Sequence, residues 1–569
     1  MHTDRIVRWM IVLFTCVLLW AVLLWLLPSS PSVRANPGAW FVSAGGSGAA
    51  CSQAQACALQ TALQNAADGD SLYLAAGTYT GAGSGAVVNI TRSIHLLCGW
   101  DGTTAAPVVR DHNRFKSILD GQGQRRGIYA NATVTLTIDG CTVQNGLATA
   151  EPVPGYGGGV YLRYARITFT NNEVYRCTGS DSASFTGYGG GIAIRSAQEG
   201  TLLEGNLVHA SVAASQEYGY GGGIYIDAAP GIVLRNNQVL ANTASVTNGL
   251  GYGGGVWLVD SSGALVEDNQ IRDNVAQAGL ATRQGSNGGG LLVGSNRVTV
   301  TGNTIQGNVA SLLRNGSGGG IALEGADDAL LHGNWIRGNI GCAGGTSGTG
   351  RGGGIEVYAS KGVRIESNRI VDNLAGIGYY GGLGGALYLS RSTVFTMTNN
   401  IVAGNGGSVE GGGMAFETEA HQPVTGTLLH NTFANNNLSP GAGGYAIDVN
   451  DPYVTLSGTN NLFSGHTYAV YGHDASSVTL TRSLFYANTL GDVGGEGVVN
   501  TGAITGQDPR LSTFYHLLPG SPAIDQGVNV EVTTDVDGQA RPRGAGYDIG
   551  ADEHSDLTYV FLPMLLKAR

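Results

Sequence analysis

Short segments in which apolar and polar residues alternate recur along most of the chain. In GGGIYIDAAPGIVLRNNQVLAN, which begins at Gly221, apolar residues occupy every second position of each segment. Alternation of this kind over a few residues is typical of β-strands that are buried on one face. Prolines are sparse, and no segment has a helical period long enough to compete. The pattern therefore predicts an all-β chain built from many short strands.

Two short sequence words recur in phase and divide the chain into repeats. A glycine cluster followed by an apolar residue recurs every 27 to 35 residues, at Val160, Ile192, Ile224, Val256, Leu291, Ile321, Ile355, Leu387 and Met414. A second word contains an asparagine, at Asn172, Asn206, Asn237, Asn269, Asn303, Asn334, Asn368, Asn400 and Asn431. Another asparagine often follows five residues later, at Asn242, Asn274, Asn308, Asn339, Asn373, Asn405 and Asn436. Such a repeat predicts a solenoid whose coils stack at the strand spacing of about 4.8 Å.

The glycines and the asparagines are predicted to form the corners of each coil. Glycine permits a tight corner with positive φ and a close approach between coils. Asparagine tolerates the left-handed region, and stacked asparagine side chains can form an amide ladder. The glycine-rich word GYGGGVWL (251–258) is followed by neither a lysine-threonine pair nor a helix. It therefore does not predict a phosphate-binding loop.

These words resemble those of a known family. GGGIYI alternating with NNQV resembles the right-handed parallel β-helix of pectin-lyase-like proteins, and it is also similar to the GGxI repeats of polymorphic outer-membrane adhesins. SILDGQGQRRGIY and VTLTIDGCTVQNG resemble the first coils of such proteins. ADGDSLYLAAGTYTG resembles their N-terminal cap, and ACALQTALQNAA resembles a capping helix. The resemblance covers about residues 40–500 and implies the fold, whereas the family includes lyases, hydrolases, epimerases and binding proteins.

The repeat decays near GAGGYAIDV, and a different segment follows it. LLPGSPAIDQG, DVDGQARPRG and YDIGADE resemble a C-terminal module of secreted bacterial β-helix proteins. We predict a signal peptide or signal anchor at 1–35, a cap with the first coils at 36–115 and β-helix repeats at 116–500. A C-terminal module at 501–556 and an apolar, basic tail at 557–569 complete the predicted organisation.

The N-terminus and the cysteines indicate export. Arg5 and Arg8 precede an apolar run, and PSVRANPG after it offers a small-residue cleavage site. The run is also about long enough to span a bilayer, so an uncleaved anchor remains open, and membrane contact is expected only there. Export permits disulfides, for which Cys51–Cys57 and Cys98–Cys141 are the predicted pairs. The formal net charge of −11 and the absence of a basic run argue against a nucleic-acid partner.

Two columns of residues are predicted to point away from the core of the coils, because side chains alternate along a strand. The first column is Tyr161, Ala193, Tyr225, Trp257, Leu292, Ala322, Glu356, Tyr388 and Ala415. The second column is Arg163, Arg195, Asp227, Val259, Gly294, Glu324, Tyr358, Ser390 and Glu417. Aromatic rings among charges suit sugar binding, so Tyr161, Arg163, Arg195, Tyr225, Asp227, Trp257, Tyr358 and Tyr388 are the predicted glycan-binding residues. The alternative is that the aromatic residues pack under the loops that precede each glycine cluster.

Acidic residues provide the candidates for catalysis and for metal binding. Glycoside hydrolysis needs two nearby carboxylates, and the candidates are Glu324, Asp327, Asp328 and Glu356. A β-elimination lyase would need a base such as Lys or Arg, and Arg163 and Arg195 lie on the same predicted face. DVDGQ (535–539) has part of the pattern of a calcium loop, so Asp535 and Asp537 are the predicted calcium ligands. No cofactor is required by the sequence.

The sequence thus predicts an exported protein, extracellular or on the cell surface, that is a monomer and binds polysaccharide without turnover. A polysaccharide lyase or glycoside hydrolase is the main alternative. A second alternative is an adhesin or stalk that contacts proteins.

Overall fold

The computed structural model describes residues 38–81, 85–148, 153–247, 249–279, 285–344, 348–377, 381–407, 411–418, 422–436, 444–473 and 476–555. The predicted signal segment at 1–35 and the tail at 557–569 lie outside these residues. Within the described ranges, no helix combines the length and the apolar character needed to cross a bilayer.

The chain forms an all-β, right-handed parallel β-helix of about 12 turns, as predicted. Three long sheets run along it, and in each sheet a strand pairs in parallel with the corresponding strand of the next coil. Sheet 1 consists of Ala39–Val42, Asp70–Ala75, Ile94–Trp100, Thr135–Asp139, Arg166–Thr170, Leu202–Glu204, Val233–Arg235, Leu265–Glu267, Thr299–Thr301, Leu330–His332, Val363–Glu366, Val394–Thr398, Val424–Leu429, Val454–Thr459, Ser477–Thr481 and Val498–Thr501. Sheet 2 consists of Val88–Ile90, Ile128–Asn131, Val160–Arg163, Ile192–Arg195, Ile224–Asp227, Val256–Val259, Leu291–Gly294, Ile321–Glu324, Ile355–Tyr358, Leu387–Ser390, Met414–Glu417, Ile447–Val449, Tyr468–Gly472 and Gly491–Gly495. Sheet 3 consists of Gly77–Thr80, Ser117–Asp120, Thr142–Gln144, Glu173–Tyr175, Leu207–His209, Gln238–Leu240, Gln270–Arg272, Thr304–Gln306, Trp335–Arg337, Arg369–Val371, Ile401–Ala403, Thr432–Ala434, Leu462–Ser464, Leu484–Tyr486 and Ile504–Thr505.

Two shorter sheets accompany the middle coils. Sheet 4 consists of Thr178–Ser180, Val212–Ala214, Thr243–Ser245, Val275–Gln277, Val309–Ser311, Ile340–Cys342 and Leu374–Gly376. Sheet 5 consists of Gly187–Tyr188, Gly219–Tyr220, Gly251–Tyr252, Ser286–Asn287, Gly316–Ser317, Gly350–Arg351 and Gly382–Leu383. A middle coil therefore passes through sheets 2, 1, 3, 4 and 5 in turn. The loops between sheets 4 and 5 carry most of the variation in repeat length.

The core runs through the centre of the coils as one continuous apolar cluster. Residues directly after the glycine clusters point into it, as predicted, and Val256 and Leu258 of one sheet 2 strand are both buried. The helix α1 (Leu59–Asn65) lies within the predicted capping segment and buries Leu59 and Ala62 at the N-terminal end. Both predicted disulfides are present, Cys51–Cys57 and Cys98–Cys141.

The glycine corners have the conformation that was predicted for them. Gly253 has a φ of +62°. A Cβ atom on the next residue, Gly254, would lie 2.3 Å from the carbonyl oxygen of Gly289 in the following coil. The first glycine of the cluster therefore makes the turn, and the second allows the coils to approach.

The asparagines form two buried ladders, but they do not occupy the left-handed region as predicted. The Asn237 side chain accepts from the backbone N–H and Nδ2 of Asn206, at 3.0 and 2.9 Å, and its own Nδ2 donates to Asn269 Oδ1 at 3.0 Å. The residue before it, Asn236, carries the positive φ of 54°. A ladder asparagine instead satisfies buried backbone groups of the neighbouring coils, which explains why a side-chain amide is needed there.

We predict that Asn303→Ala destabilises the protein by at least about 2 kcal/mol, because each buried polar group that loses its partner costs about 1–3 kcal/mol. Asn303 accepts from Asn269 N–H at 2.9 Å and donates to Val266 O and Asn334 Oδ1 at 2.8 and 2.9 Å. Urea unfolding followed by circular dichroism measures the change. The exposed Asn113→Ala is the control, and equal midpoints for the two variants would contradict the ladder's role.

Candidate functional site

The first predicted outward column is buried except at Trp257, which corrects the expectation that it faces solvent. Tyr161, Tyr225 and Tyr388 are 0%, 5% and 1% exposed. These residues do point away from the core, but sheet 5 and the loops before it form a second layer over sheet 2. We call this layer, sheets 4 and 5 with their connecting loops, the cover. The alternative of packing beneath the loops is therefore what the structure shows for these three tyrosines.

A stack of tyrosines in the cover closes this face. Tyr156 stacks on Tyr188 at 4.2 Å, Tyr188 on Tyr220 at 5.0 Å, and Tyr220 on Tyr252 at 5.2 Å between ring centroids. The two faces of the inner rings are thus occupied by neighbouring rings, so those faces cannot receive a sugar ring. The sequence signal for this stack is the tyrosine in the repeated word GYGGG, which lies outside both predicted columns.

The remaining predicted glycan-binding residues take part in local pairs. Arg195 Nε lies 2.9 Å from Asp227 Oδ2, and its guanidinium lies 4.6 Å from the Tyr156 ring. The other members make ring contacts: Arg163 with Tyr164, Trp257 with Tyr220, and Arg391 with Tyr358. Arg163, Arg195, Asp227, Trp257 and Tyr358 are half-buried. Glycan binding by them stays a prediction.

The predicted acidic cluster divides into two parts. Glu324 and Glu356 lie on paired strands of sheet 2, where Ala322 is directly opposite Glu356. Asp327 and Asp328 lie in the turn beyond the strand, where Asp327 Oδ1 accepts from Lys361 N–H at 2.8 Å and Asp328 has a φ of 57°. The structure therefore brings the two glutamates together and gives the aspartates turn positions.

Glu356 is enclosed beneath the cover. It is 4% exposed, and its Oε2 has no hydrogen-bond partner among the described residues. Burial, with the charge of Glu324 as a second cause, raises the pKa of Glu356 to about 8. A polysaccharide cannot contact this carboxyl unless the cover moves, so catalysis by Glu324 and Glu356 stays a prediction that the closed arrangement does not favour.

Sheet 3 presents an uncovered face of the middle coils, and sequence reasoning missed it. We call its outward side chains between the first coils and the C-terminal module the open face. It consists of the pairs Glu173 and Tyr175, Leu207 and His209, Gln238 and Leu240, Gln270 and Arg272, Thr304 and Gln306, Trp335 and Arg337, and Arg369 and Val371. At the strand spacing of about 4.8 Å, seven coils give a straight row about 29 Å long. Trp335 is 43% exposed.

A polar cluster lies at the N-terminal end of the open face. Glu173 Oε2 is 3.0 Å from Lys116 Nζ, and Glu173 Oε1 is 3.5 Å from His209 Nε2. The approach of His209, together with the Lys116 ion pair, lowers the pKa of Glu173 to about 2. The Tyr175 and His209 rings stack with centroids 5.0 Å apart. Glu173 is therefore ionised, and the ammonium group of Lys116 neutralises its charge.

A surface cavity of about 580 Å³ adjoins this cluster. It is lined by Asp120, Gln122, Gly123, Asn145, Gly146, Leu147, Arg176, Thr178 and Asp181. Asp120 Oδ2 accepts from Gln144 Nε2 at 2.9 Å, and Tyr175 O–H donates to Gln144. Hydrogen bonds therefore connect the cavity wall to the end of the open face.

The C-terminal module covers the other end of sheet 3. Apolar residues of sheet 3, such as Ile401 and Leu462, form clusters with Val536 and Ile549 of the module. Of the predicted calcium ligands, Asp535 accepts three backbone N–H groups, from Asp537, Gln539 and Glu553, at 2.7 to 3.0 Å. Asp535 thereby holds a turn, and calcium binding at this position stays a prediction.

Comparison with known proteins identifies the family. The model of the right handed beta helix region matches residues 110–309 and 281–437. The chain therefore belongs to the right-handed β-helix family. No curated protein matches the sequence.

Several solved structures are similar to this chain at low identity. The pectate lyase Pel9A is 10% identical over 92% of this chain and 98% of its own, with a TM-score of 0.32. The A-module of the mannuronan C-5 epimerase AlgE6 of Azotobacter vinelandii is 13% identical over 77% of this chain and 91% of its own, with a TM-score of 0.37. XylC in complex with xylose is 9% identical over 90% of this chain and 98% of its own, with a TM-score of 0.36.

We predict that the free energy of unfolding of the parent falls as pH rises, and that Glu356→Gln abolishes this fall. Because the folded-state pKa of Glu356 lies near 8, above the usual 4.5, the folded state holds an extra proton between these values. The free energy of unfolding therefore falls as pH rises through that window. At pH 8.5 the variant should be more stable than the parent by up to about 4 kcal/mol, and the gain should disappear near pH 4.

Urea unfolding at several pH values between 4 and 9 measures this difference. Glu199→Gln, in an exposed turn, is the control because it removes the same charge from the surface. If the parent and Glu356→Gln lose stability in parallel across the whole range, Glu356 is not the group responsible.

Proposed function

We propose that this protein binds a linear, acidic polysaccharide along the open face, without turnover, outside the cytoplasm. Arg272 carries the proposal. It lies in the middle of the open face and makes no ion pair with any described residue, and its Nε has no hydrogen-bond partner there. A guanidinium that is left unpaired in an acidic protein is a site for a carboxylate or a sulfate group of a ligand.

The groups around Arg272 suit a sugar polymer. Gln270 is on the same strand, and Gln238 and Gln306 are on the two neighbouring strands. Their amides can both donate to and accept from hydroxyl groups. Trp335, two coils from Arg272, offers an exposed aromatic surface of the kind that stacks on sugar rings.

Cations extend the row towards the C-terminal end. Arg337 Nε is 3.2 Å from Asp372 Oδ2, with both side chains about half exposed, and Arg369 contacts Asp537. Because an exposed ion pair contributes little, a polyanion can compete for the Arg337 guanidinium. The straight row, rather than an enclosed pocket, favours an extended polymer over a small molecule.

The proposed location outside the cytoplasm rests on the disulfides. Cys51–Cys57 and Cys98–Cys141 are both closed, and disulfides persist in oxidising compartments. This agrees with the export signal predicted at residues 1–35.

A second candidate function, polysaccharide lyase activity, is favoured by the polar cluster at the end of the same face. His209 is the candidate proton acceptor, and Lys116 supplies a positive charge beside Glu173. Removal of a proton next to a sugar carboxylate requires a positioned base and a neutralised carboxylate. Analysis of polymer chain length after binding separates the two functions, because only a lyase shortens the polymer.

We predict that Arg272→Ala weakens binding of an acidic polysaccharide by about three- to tenfold, because a charge-assisted contact contributes about 1 kcal/mol or more. Trp335→Ala should weaken it similarly through loss of ring stacking. Affinity electrophoresis in gels that contain polygalacturonate, alginate or a neutral glucan measures the retardation. Added salt should reduce it for the acidic polymers.

The matched control is Arg364→Ala, which removes one guanidinium from the outer face of sheet 1. It should retain binding. Equal loss in the Arg272 and Arg364 variants would show a diffuse charge effect and contradict a site on the open face. Retention by the neutral glucan alone would contradict the acidic ligand.

A further inference from the structure

Three side chains of the C-terminal module converge where the module meets the open face. One ligand atom each from His516, Asp537 and Asp552 lies within 4.8 Å of the other two. His516 Nε2 is 2.7 Å from Asp537 Oδ2. We propose that these residues bind one divalent transition-metal ion, of the class of Zn²⁺, and that the ion fastens the module together.

The buried charge of the module is the first independent support. Four of its carboxylates are buried, those of Asp535, Asp548, Asp552 and Glu553, whereas Arg541 is the one buried cation among the described residues after 505. Arg541 is already paired with Glu553 at 2.6 Å. Buried carboxylates require positive charge or several hydrogen bonds, so a bound cation would offset the excess negative charge of the module.

Among these four carboxylates, Asp552 accepts the fewest hydrogen bonds from described residues. It is 5% exposed, and its Oδ2 accepts from Leu517 N–H at 2.7 Å. No described residue donates a hydrogen bond to its Oδ1. Asp535, by comparison, accepts three backbone N–H groups, and Asp548 accepts from Asp525 N–H at 2.7 Å and His554 N–H at 2.6 Å. An ionised carboxylate has about four acceptor positions, so Asp552 retains capacity for an ion.

The ligand set selects the class of metal. One imidazole nitrogen with two carboxylate oxygens suits Zn²⁺ and neighbouring first-row ions, whereas Ca²⁺ takes six to eight oxygen ligands. The two carboxylates are also oriented by further contacts. Arg369 contacts Asp537 Oδ1, and Leu517 N–H binds Asp552, as the supporting contacts of metal ligands commonly do.

An ion at this position would join three separate segments of the module. His516, Asp537 and Asp552 come from different loops, and the described strand pairing within the module consists of isolated bridges such as Leu511–Leu517 and Thr534–Ala540. Small units with little regular structure gain much of their stability from such an ion. Through Asp537 and Arg369 the site also adjoins the solenoid. This inference is independent of the proposed polysaccharide binding.

The test is metal binding by the untagged full chain after treatment with EDTA. Calorimetric titration with Zn²⁺ should show one site per chain, and the ion should raise the midpoint of thermal unfolding. Co²⁺ in place of Zn²⁺ should give a visible absorption spectrum. His516→Gln and Asp552→Asn should each weaken Zn²⁺ binding more than about tenfold.

His473→Gln is the matched control, because His473 Nε2 lies 3.2 Å from Asp448 Oδ1 in a His–Asp pair elsewhere. It should bind Zn²⁺ as the parent does. His516→Gln keeps an amide at the position, so circular dichroism should show a folded chain. Absence of saturable binding, equal binding by the parent and His516→Gln, or binding of Ca²⁺ alone would each overturn the proposal.

Discussion

Hydrogen bonding between buried asparagines of successive coils fixes where every other part of this molecule lies. Each ladder asparagine connects the coil before it with the coil after it, so neither side chain nor backbone can shift without leaving a buried polar group unpaired. The sequence separation along the ladder varies from 30 to 34 residues while the strands stay in register. Length differences are therefore confined to loops, mainly those between sheets 4 and 5.

This confinement determines which surfaces remain available. The tyrosines of sheet 5 lie over sheet 2 and bury its outward aromatic residues, so the aromatic column acts as a second small core. The C-terminal module covers the last coils of sheet 3 through two apolar clusters. The open face is what these two layers leave uncovered in the middle of sheet 3. Its arginines, amides and one exposed tryptophan make it chemically distinct from the outer side of sheet 2, which lies beneath the cover.

Charge is distributed unevenly between these regions. Under the cover, the buried Glu356 carboxyl has one oxygen with no hydrogen-bond partner among the described residues. Arg272 on the open face has a guanidinium that forms no ion pair with any of them. The C-terminal module concentrates buried carboxylates around Arg541. Although the chain has a net charge of −11, it places Arg272, Arg337 and Arg369 in one row, and this row supports an acidic ligand there.

The sequence by itself determined the coil. Period-two alternation placed Val256 and Leu258 in the core, the spacing of Asn237 and Asn269 predicted a ladder, and the cysteine positions predicted both disulfides, because these features depend on local geometry repeated at a fixed period. Only the tertiary structure decided which outward side chains meet solvent. Tyr225 and Arg272 both point away from the core of their coils, yet Tyr225 is buried beneath neighbouring aromatic rings and Arg272 is only half-buried. The path of a long loop and the docking of His516, Asp537 and Asp552 depend on contacts between distant segments, which strand periodicity does not encode.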